Sequence, residues 1–234
     1  MDAEEVFGKI EFIKSNRARV IRVRIKADGL IVTLPLNSTS GQALQFIESK
    51  QKSILSKQQK LIQNESKNPL LLNENSVLQT LTFRVVLKRC NRNDLFFSMK
   101  DEVLSIEFPE KTDCNSKQTQ HYFWNGINYF LRKEAKRLLY NRTKQLAAKH
   151  GFTFTDVKIQ SSKSRWGSCS RRKNINLSFY LMLLPAHLID YVILHELCHT
   201  KEMNHGVKFW QWMDHVTDNK SKMLRSELKS YNLP

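Results

Sequence analysis

The feature that most constrains the fold is a pair of histidines four residues apart, His195 and His199, with Glu196 directly after the first. This H-E-x-x-H pattern lies in a segment rich in Leu, Ile and Val. An α-helix places residues four apart on one face, about 6 Å apart along its axis, so two imidazoles can bind one ion. Zinc favours neutral imidazole nitrogens and four ligands. The pattern therefore predicts a largely buried helix with two zinc ligands and a general base, Glu196.

A catalytic zinc site usually has three protein ligands and one open position, and His205 is the first candidate for the third ligand. On a continuous helix, His205 would lie about 15 Å from His195 along the axis. The helix must therefore end near residues 200–203, and the turn-forming residues that flank His205 favour such an end. Glu202 and Glu227 are the alternative third ligands.

Composition and the apolar pattern exclude several classes of protein. The 234 residues are 41% hydrophobic and 26% charged, which is typical of a globular chain. The longest apolar stretch, residues 179–194, is interrupted by Pro185, His187 and Asp190, so we expect no membrane-spanning helix and no membrane partner. The first residues are acidic and contain no apolar signal segment. None of the four cysteines forms a C-x-x-C pair, so we expect reduced thiols and a cytoplasmic location.

The positive charge is unevenly distributed along the chain. The sequence has 38 basic and 22 acidic residues, a net charge of +16. The segment 130–173 alone holds 13 basic and 2 acidic residues. Such a segment indicates either a polyanionic partner, such as a nucleic acid, or a solvated helix face that keeps the protein in solution. The sequence leaves both interpretations open.

The first part of the chain is predicted to be β-rich. Two apolar strands on either side of Asp28-Gly29 predict a hairpin, and apolar residues at helical spacing predict one helix from Ser40 to Gln63. Three further strands are expected, at Val77–Lys88, Leu95–Met99 and Val103–Phe108. Residues 109–118 are polar, contain a proline and predict a domain boundary. The N-terminal domain is therefore expected to span residues 1–115, with one helix.

The second domain is expected to span residues 116–234 and to make the whole chain an α+β protein. A long helix is predicted from Gln120 to His150, with Gly151 as its C-cap. Strands are expected next. A helix that begins after Pro185 carries the H-E-x-x-H pattern, and a helical region runs from Val207 to the end.

Several segments around this pattern resemble a known family. Their order and spacing are similar to those of the YgjP-like metallopeptidases, relatives of the SprT-like zinc proteases in the zincin superfamily. The match is closest over residues 151–215, and the hairpin and helix of residues 18–62 also look like the family's N-terminal part. The segments that carry the resemblance are Ser164–Ser170, Asn174–Leu177, Leu184-Pro185, Ile189–His199 and Met203–Trp210.

The resemblance implies a zincin-like C-terminal domain in which an active-site helix lies under a small sheet, preceded by the β-rich N-terminal domain. It implies that His195, His199 and His205 bind the metal and that Glu196 is catalytic. Members of this family are described as metal-dependent peptidases or hydrolases. The resemblance therefore implies Zn²⁺ as cofactor and a protein or peptide as substrate.

The segment that precedes the helix is a candidate for substrate binding. In zincins an edge strand near the metal pairs with an extended peptide through main-chain hydrogen bonds, which demand little of the peptide sequence. Residues 165–178 are the candidate strand, with Arg165 or Ser168 near the scissile bond. Trp166 and Cys169 are expected in the core, and a structural ion pair is the alternative role of Arg165.

Together these inferences predict a zinc-dependent metallopeptidase that hydrolyses peptide bonds by a metal-activated water, with Glu196 as general base. One alternative is a metal-dependent phosphohydrolase acting on nucleotides, although the sequence has no Gly-rich phosphate loop. Another is a nucleic-acid-associated SprT-like protease or binding module that uses the basic segment 130–173. An open fourth coordination position argues against a purely structural ion.

Overall fold

A computed structural model describes residues 3–26, 28–66 and 71–231 of the chain. Within these ranges seven α-helices and ten strands form a mixed α+β fold with three small sheets, as the sequence predicted at that level. Residue contacts divide the chain into two compact units, Met1–Leu70 and Leu71–Pro234.

The first unit is built on a three-stranded sheet with β3 in the middle, parallel to β1 and antiparallel to β2. Ile25 pairs with Leu30, which confirms the hairpin predicted around Asp28-Gly29. A Cβ atom on Gly29 would lie 2.1 Å from the Lys9 carbonyl oxygen, so only glycine lets β3 begin this close to β1. The elements of this unit are α1 (Ala3–Phe7), β1 (Lys9–Lys14), β2 (Arg22–Ile25), β3 (Gly29–Leu34), α2 (Ser40–Ser49) and α3 (Gln51–Ser66).

The prediction of a single helix from Ser40 to Gln63 is wrong, because the structure has two helices there. Thr39 caps α2: its hydroxyl accepts a hydrogen bond from the Gln42 backbone, and the Gln42 side chain accepts one from the Thr39 backbone. Lys50 then leaves helical geometry, with φ −113° and ψ 12°, before α3 begins. The apolar spacing continues across this break, so periodicity alone predicted one helix.

The second unit begins with a four-stranded sheet in the order β4-β5-β7-β6, in which β5 and β7 are parallel. The strand predicted from Val77 to Lys88 is divided in two by a turn, where the Thr80 hydroxyl donates a hydrogen bond to the Phe83 carbonyl. The strands are β4 (Leu78–Gln79), β5 (Arg84–Cys90), β6 (Phe96–Lys100) and β7 (Val103–Pro109).

A 34-residue helix, α4 (Lys117–His150), follows this sheet. Its N-cap is Ser116, whose hydroxyl accepts a hydrogen bond from the Thr119 backbone, so the helix begins three residues before the predicted Gln120. Its C-cap is Gly151 in the left-handed region, with φ 69°, which confirms that prediction. The buried residues of α4 follow helical spacing and include Phe123, Ile127, Leu131, Ala135 and Leu139.

The boundary between the two units differs from the boundary predicted after residue 115. Residues 109–118 connect two elements of one unit, because β7 and α4 share a hydrophobic core. The rings of Phe108 and Phe123 pack with their centroids 5.3 Å apart. A polar segment that contains proline indicates a loop. The composition of such a loop is similar whether it joins two domains or two elements of one core.

The remainder of the second unit forms a smaller sheet in the order β8-β10-β9, with β8 parallel and β9 antiparallel to β10. The predicted C-terminal helical region is two helices, since Asp218 and Asn219 adopt left-handed backbone with φ 51° and 63°. The elements are β8 (Asp156–Gln160), β9 (Gly167–Cys169), β10 (Asn174–Ser178), a 3₁₀ helix (Phe179–Leu183), α5 (Ala186–Cys198), α6 (Val207–Val216) and α7 (Ser221–Leu228).

Two expectations from the sequence concern membrane-spanning helices and the state of the cysteines. In the described ranges no helix combines the length and apolar character that crossing a bilayer requires. All four cysteines are free thiols: Cys90, Cys114, Cys169 and Cys198. The cytoplasmic location stays a prediction.

Gly126 tests how closely α4 packs on the sheet. A Cβ atom at this position would lie 2.0 Å from the Phe97 ring on β6. Gly126→Ala should therefore lower the free energy of unfolding by about 1–3 kcal/mol, as overpacking does. Helix propensity alone predicts the opposite, a gain of about 1 kcal/mol.

Chemical denaturation of the two variants Gly126→Ala and Gly41→Ala would check this prediction. Gly41 is the matched control, because an added methyl group on α2 would meet only the Thr39 hydroxyl oxygen, at 3.9 Å. An unchanged or higher unfolding midpoint for Gly126→Ala would contradict the close packing of α4 against Phe97.

Candidate metal centre

Three histidine side chains converge at the C-terminal end of α5. His195 lies in the last turn of the helix, His199 is its C-cap and His205 follows in the connection to α6. The candidate ligand atoms of all three lie within 4.8 Å of one another, and the Nε2 atoms of His195 and His205 are 3.0 Å apart. Their rings are therefore close enough to share one ion.

The chain reverses direction between His199 and His205, as the sequence predicted. α5 ends at Cys198, and the backbone N–H groups of Lys201 and Glu202 both donate to the Cys198 carbonyl oxygen at 3.0 Å. After residue 201 the backbone is no longer helical, and His205 comes back to the side of α5 that carries His195. A helix that continued through residue 205 would have kept the two imidazoles about 15 Å apart along the axis.

Two contacts that sequence reasoning missed fix the orientation of these rings. The Nδ1 atom of His199 lies 3.0 Å from the Glu202 carbonyl oxygen. A hydrogen bond from Nδ1–H to that carbonyl leaves Nε2 unprotonated and free to bind a metal. The buried ring of Phe209 on α6 lies against all three imidazoles, with centroids 4.9, 4.6 and 4.6 Å from those of His195, His199 and His205.

The electrostatic environment keeps the buried imidazoles neutral. Burial, together with the neighbouring His199 and His205, lowers the pKa of His195 to about 3. Burial also lowers the pKa of His199. Neutral imidazole is the form that binds a transition metal. Three such nitrogens, with oxygen and sulfur ligands absent from the cluster, fit the donor set of a zinc ion with one position left open.

Glu196 is a buried carboxyl group beside this cluster. Its side chain is 5% exposed, and its Oε2 atom has no hydrogen-bond partner among the described residues. Burial raises the pKa of Glu196 to about 8, while the positive charge of Arg165 opposes the rise. A buried oxygen without a partner is costly, so this atom faces a position where a water or another polar group completes its hydrogen bonds.

Strand β9 lies directly against Glu196. A Cβ atom on Gly167 would be 2.7 Å from Glu196 Oε1, so only glycine allows the strand to come this close. The sequence signal for this contact is a glycine inside a strand-forming segment, which often marks a close approach of backbone. β9 is an edge strand of its sheet within the described residues, with β10 as its partner.

Of the two residues predicted to bind substrate, Ser168 lies in β9 and Arg165 lies two residues before it. Arg165 is exposed, and Ser168 pairs in register with Asn176 of β10. Both residues line one cavity of about 270 Å³. None of the hydrogen bonds or ion pairs among the described residues uses the Arg165 guanidinium, so a structural ion pair is not its role there. Trp166 and Cys169 are partly buried against the core, as expected.

The sequence as a whole matches the family model for the YgjP-like metallopeptidase domain over residues 19–231. The chain belongs to the YgjP-like metallopeptidase family. Among curated proteins, none matches it.

Two solved structures of archaeal metallopeptidase zymogens are also similar to part of this YgjP-like chain. Abylysin of Pyrococcus abyssi is 20% identical, with a TM-score of 0.36, and the match covers 40% of this chain and 97% of abylysin. Jannalysin of Methanocaldococcus jannaschii is 23% identical, with a TM-score of 0.35, and the match covers 38% of this chain and 92% of jannalysin.

The alternative third ligands of this YgjP-like protein have other contacts. Glu227 Oε1 lies 2.8 Å from Nε2 of His187, and the two form an ion pair when the imidazole is protonated. Glu202 contributes its backbone carbonyl to His199, and its side chain is outside the cluster. Of the three candidates weighed from the sequence, His205 is the one that joins His195 and His199.

The geometry predicts how zinc binding depends on His205. His205→Ala should weaken zinc binding by more than about 100-fold, because loss even of a group that orients a ligand costs roughly 10–100-fold. Zinc content after dialysis and competition with a chromogenic chelator would measure the change. His121→Ala removes an exposed histidine on α4 and is the matched control. Equal zinc binding by the two variants would exclude His205 as a ligand.

Proposed function

We propose that this protein is a zinc-dependent peptidase in which His195, His199 and His205 bind the ion and Glu196 is the general base. The observation that carries the proposal is the convergence of three imidazoles beside a buried carboxyl group with an unpartnered oxygen. An isolated cluster of three histidines suits many roles, including structural ones. A proton acceptor directly beside an ion with an open position suits hydrolysis.

The reaction needs little from the protein beyond these groups. When bound, the ion supplies Lewis acidity, which polarises a carbonyl group and lowers the pKa of water. Glu196 accepts the proton of the attacking water and later donates it to the leaving amine nitrogen. The low-polarity surroundings of Glu196, seen in its burial, strengthen both its hydrogen bonds and its basicity toward water.

We infer that the free edge of β9 binds the substrate backbone. The Ser178 N–H donates to the Trp166 carbonyl, and the Ser170 N–H donates to the Asn174 carbonyl, so Trp166 and Ser170 face β10. Backbone groups alternate along a strand, and those of Gly167 therefore point to the free edge. A peptide added at this edge would pass alongside Glu196.

We infer a zincin-like arrangement for this part of the chain: α5 is the active-site helix, and the β8–β10 sheet is the small sheet above it. All the proposed site residues lie within residues 116–234, which we take as the metallopeptidase part of the chain. The alternatives gain nothing from the structure. The described residues hold a single cluster of three or more His, Cys, Asp or Glu side chains, and a two-metal phosphohydrolase would need more.

The basic segment 130–173 likewise does not favour a nucleic-acid partner. Two of its arginines are held by carboxylates of the same unit: Arg137 pairs with Glu134, and Arg142 pairs with Asp190 of α5. The part of the segment that lies on α4 is therefore a solvated, partly ion-paired helix face.

Replacing Glu196 by Gln tests the proposed general base. Glu196→Gln should lower kcat for cleavage of casein or a quenched fluorescent peptide by about 10²–10⁴-fold, because the amide cannot accept the proton. Zinc content should stay that of the wild type, since the amide leaves all three imidazoles in place. Retained cleavage by a zinc-loaded Glu196→Gln protein would overturn the assignment.

Gly167 offers a second test, because it controls the position of the Glu196 carboxylate. Gly167→Ala should displace that carboxylate and lower kcat/KM by about 100-fold, the usual effect of misplacing a catalytic group by 1 Å. Gly41→Ala is the control with open space around the added methyl. In the double variant with Glu196→Gln, the alanine should cause little further loss, because both changes act on one group. Fully additive losses would contradict this coupling.

A further inference from the structure

A polar cavity of about 270 Å³ opens beside the edge strand β9. Its lining consists mostly of hydroxyl and amide side chains with one charged group, and no carboxylate belongs to it. The polar residues that line it are Gln160, Ser162, Ser164, Arg165, Ser168, Asn176 and Ser178. The chemistry of this cavity is therefore that of hydrogen-bond donors around one positive charge.

Arg165 makes the cavity attractive to an anion. Its guanidinium is exposed and, among the described residues, forms neither an ion pair nor a hydrogen bond. The surrounding segment 156–178 holds six basic residues and one acidic residue. The carboxyl group that interacts electrostatically with Arg165 is that of buried Glu196, which does not line the cavity. An arginine with both edges free offers the paired N–H groups that bind a carboxylate bidentately.

A chain of hydrogen bonds ends in a second donor beside Arg165. The Gln160 amide donates to the Asn176 side-chain oxygen at 2.7 Å, and the Asn176 amide donates to the Ser168 hydroxyl oxygen at 3.3 Å. Because Ser168 accepts this bond, its own O–H is free to donate. Each bond in the chain polarises the next, which favours a negatively charged acceptor at its end.

The register of β9 determines which substrate residue reaches the cavity. Side chains alternate between the two faces of a strand, and Gly167 has its Cβ direction toward Glu196, so Ser168 points to the opposite face. In a peptide paired with the free edge of β9, the residue opposite Ser168 has its side chain on the Ser168 face. Its neighbours in the peptide lie opposite Gly167 and Cys169, on the side of Glu196.

We propose that this cavity is a subsite for a carboxylate, with Arg165 and Ser168 as its donors, so that the enzyme prefers substrates with Asp or Glu next to the cleaved bond. The proposal rests on the proposed peptidase function and names its substrate class: acidic peptides. The unbalanced positive charge of segment 156–178 also draws such peptides toward the site.

The experiment uses the full chain loaded with zinc and peptides blocked at both ends. Each peptide carries Glu or Gln at one position, and kcat/KM is measured for both. The Glu peptide should be cleaved about tenfold faster in the wild type, the usual value of one charge-assisted contact. Arg165→Gln should abolish this difference, and Ser168→Ala should reduce it. Arg171→Gln, which removes a charge from an exposed position outside the cavity, is the matched control and should preserve the preference.

A binding measurement separates this proposal from the proposed function. Fluorescence anisotropy of labelled peptides with the Glu196→Gln variant reports affinity without cleavage, and Arg165→Gln in that background should weaken only the Glu peptide. A third peptide with a neutral interior and a free C-terminal carboxylate distinguishes a chain end from an acidic side chain as the bound group.

The outcomes are distinct. Cleavage without discrimination between Glu and Gln, or equal effects of Arg165→Gln and Arg171→Gln, would overturn the carboxylate subsite and leave the peptidase in place. Binding of the Glu peptide that depends on Arg165, in a zinc-loaded protein that cleaves no peptide, would support the subsite and overturn the peptidase. Preference for the peptide with the free C-terminus alone would overturn the internal acidic residue as the substrate feature.

Discussion

The turn that follows Cys198 is the constraint on which the site depends. A helix carries two imidazoles four residues apart without difficulty, but a third ligand six residues later requires the chain to leave the helix and come back. Two backbone N–H groups on the Cys198 carbonyl close that turn, and the Glu202 carbonyl within it orients His199. The same few residues therefore end a helix, bring His205 beside His195, and orient the His199 ring.

The hydrophobic surroundings of His195 and Glu196 determine the protonation of both side chains. α5 is buried on most of its surface, so the polar groups of its last turn are placed among apolar side chains. Such groups must be neutral, hydrogen-bonded or bound to an ion. The depressed pKa of His195 and the raised pKa of Glu196 both follow from this burial. In the proposed enzyme, the packing that stabilises the second unit also prepares the ligands and the base.

The sequence predicted the local features of the site and missed the tertiary ones. The spacing of His195 and His199 and the turn formers around His205 were sufficient for the histidine cluster, because each depends on helix geometry within a short segment. The contact between Gly167 and Glu196 joins residues 29 positions apart in the sequence. The packing of Phe209 on the imidazoles depends on how α6 packs against α5. The only local sequence signals for these two contacts are a glycine and an aromatic residue. The predicted domain boundary after residue 115 differs from the division into compact units after Leu70 for a similar reason, since a loop inside one core and a linker between cores have similar composition.

Helix α4 has a mechanical consequence for the second unit. With 34 residues, α4 is about 50 Å long. Its N-terminal part packs against Phe97 and Phe108 of the four-stranded sheet. Further along, Arg142 of α4 pairs with Asp190 of α5, the helix that carries His195. The single helix α4 thus supports both sheets of the second unit, the four-stranded sheet and the β8–β10 sheet. A fragment that begins at residue 116 would lack the strands that pack on one face of α4. In that fragment Phe123 and Ile127 would be exposed to water. Strands β4–β7 are therefore part of the structural support of the site, and we expect them to unfold together with α4.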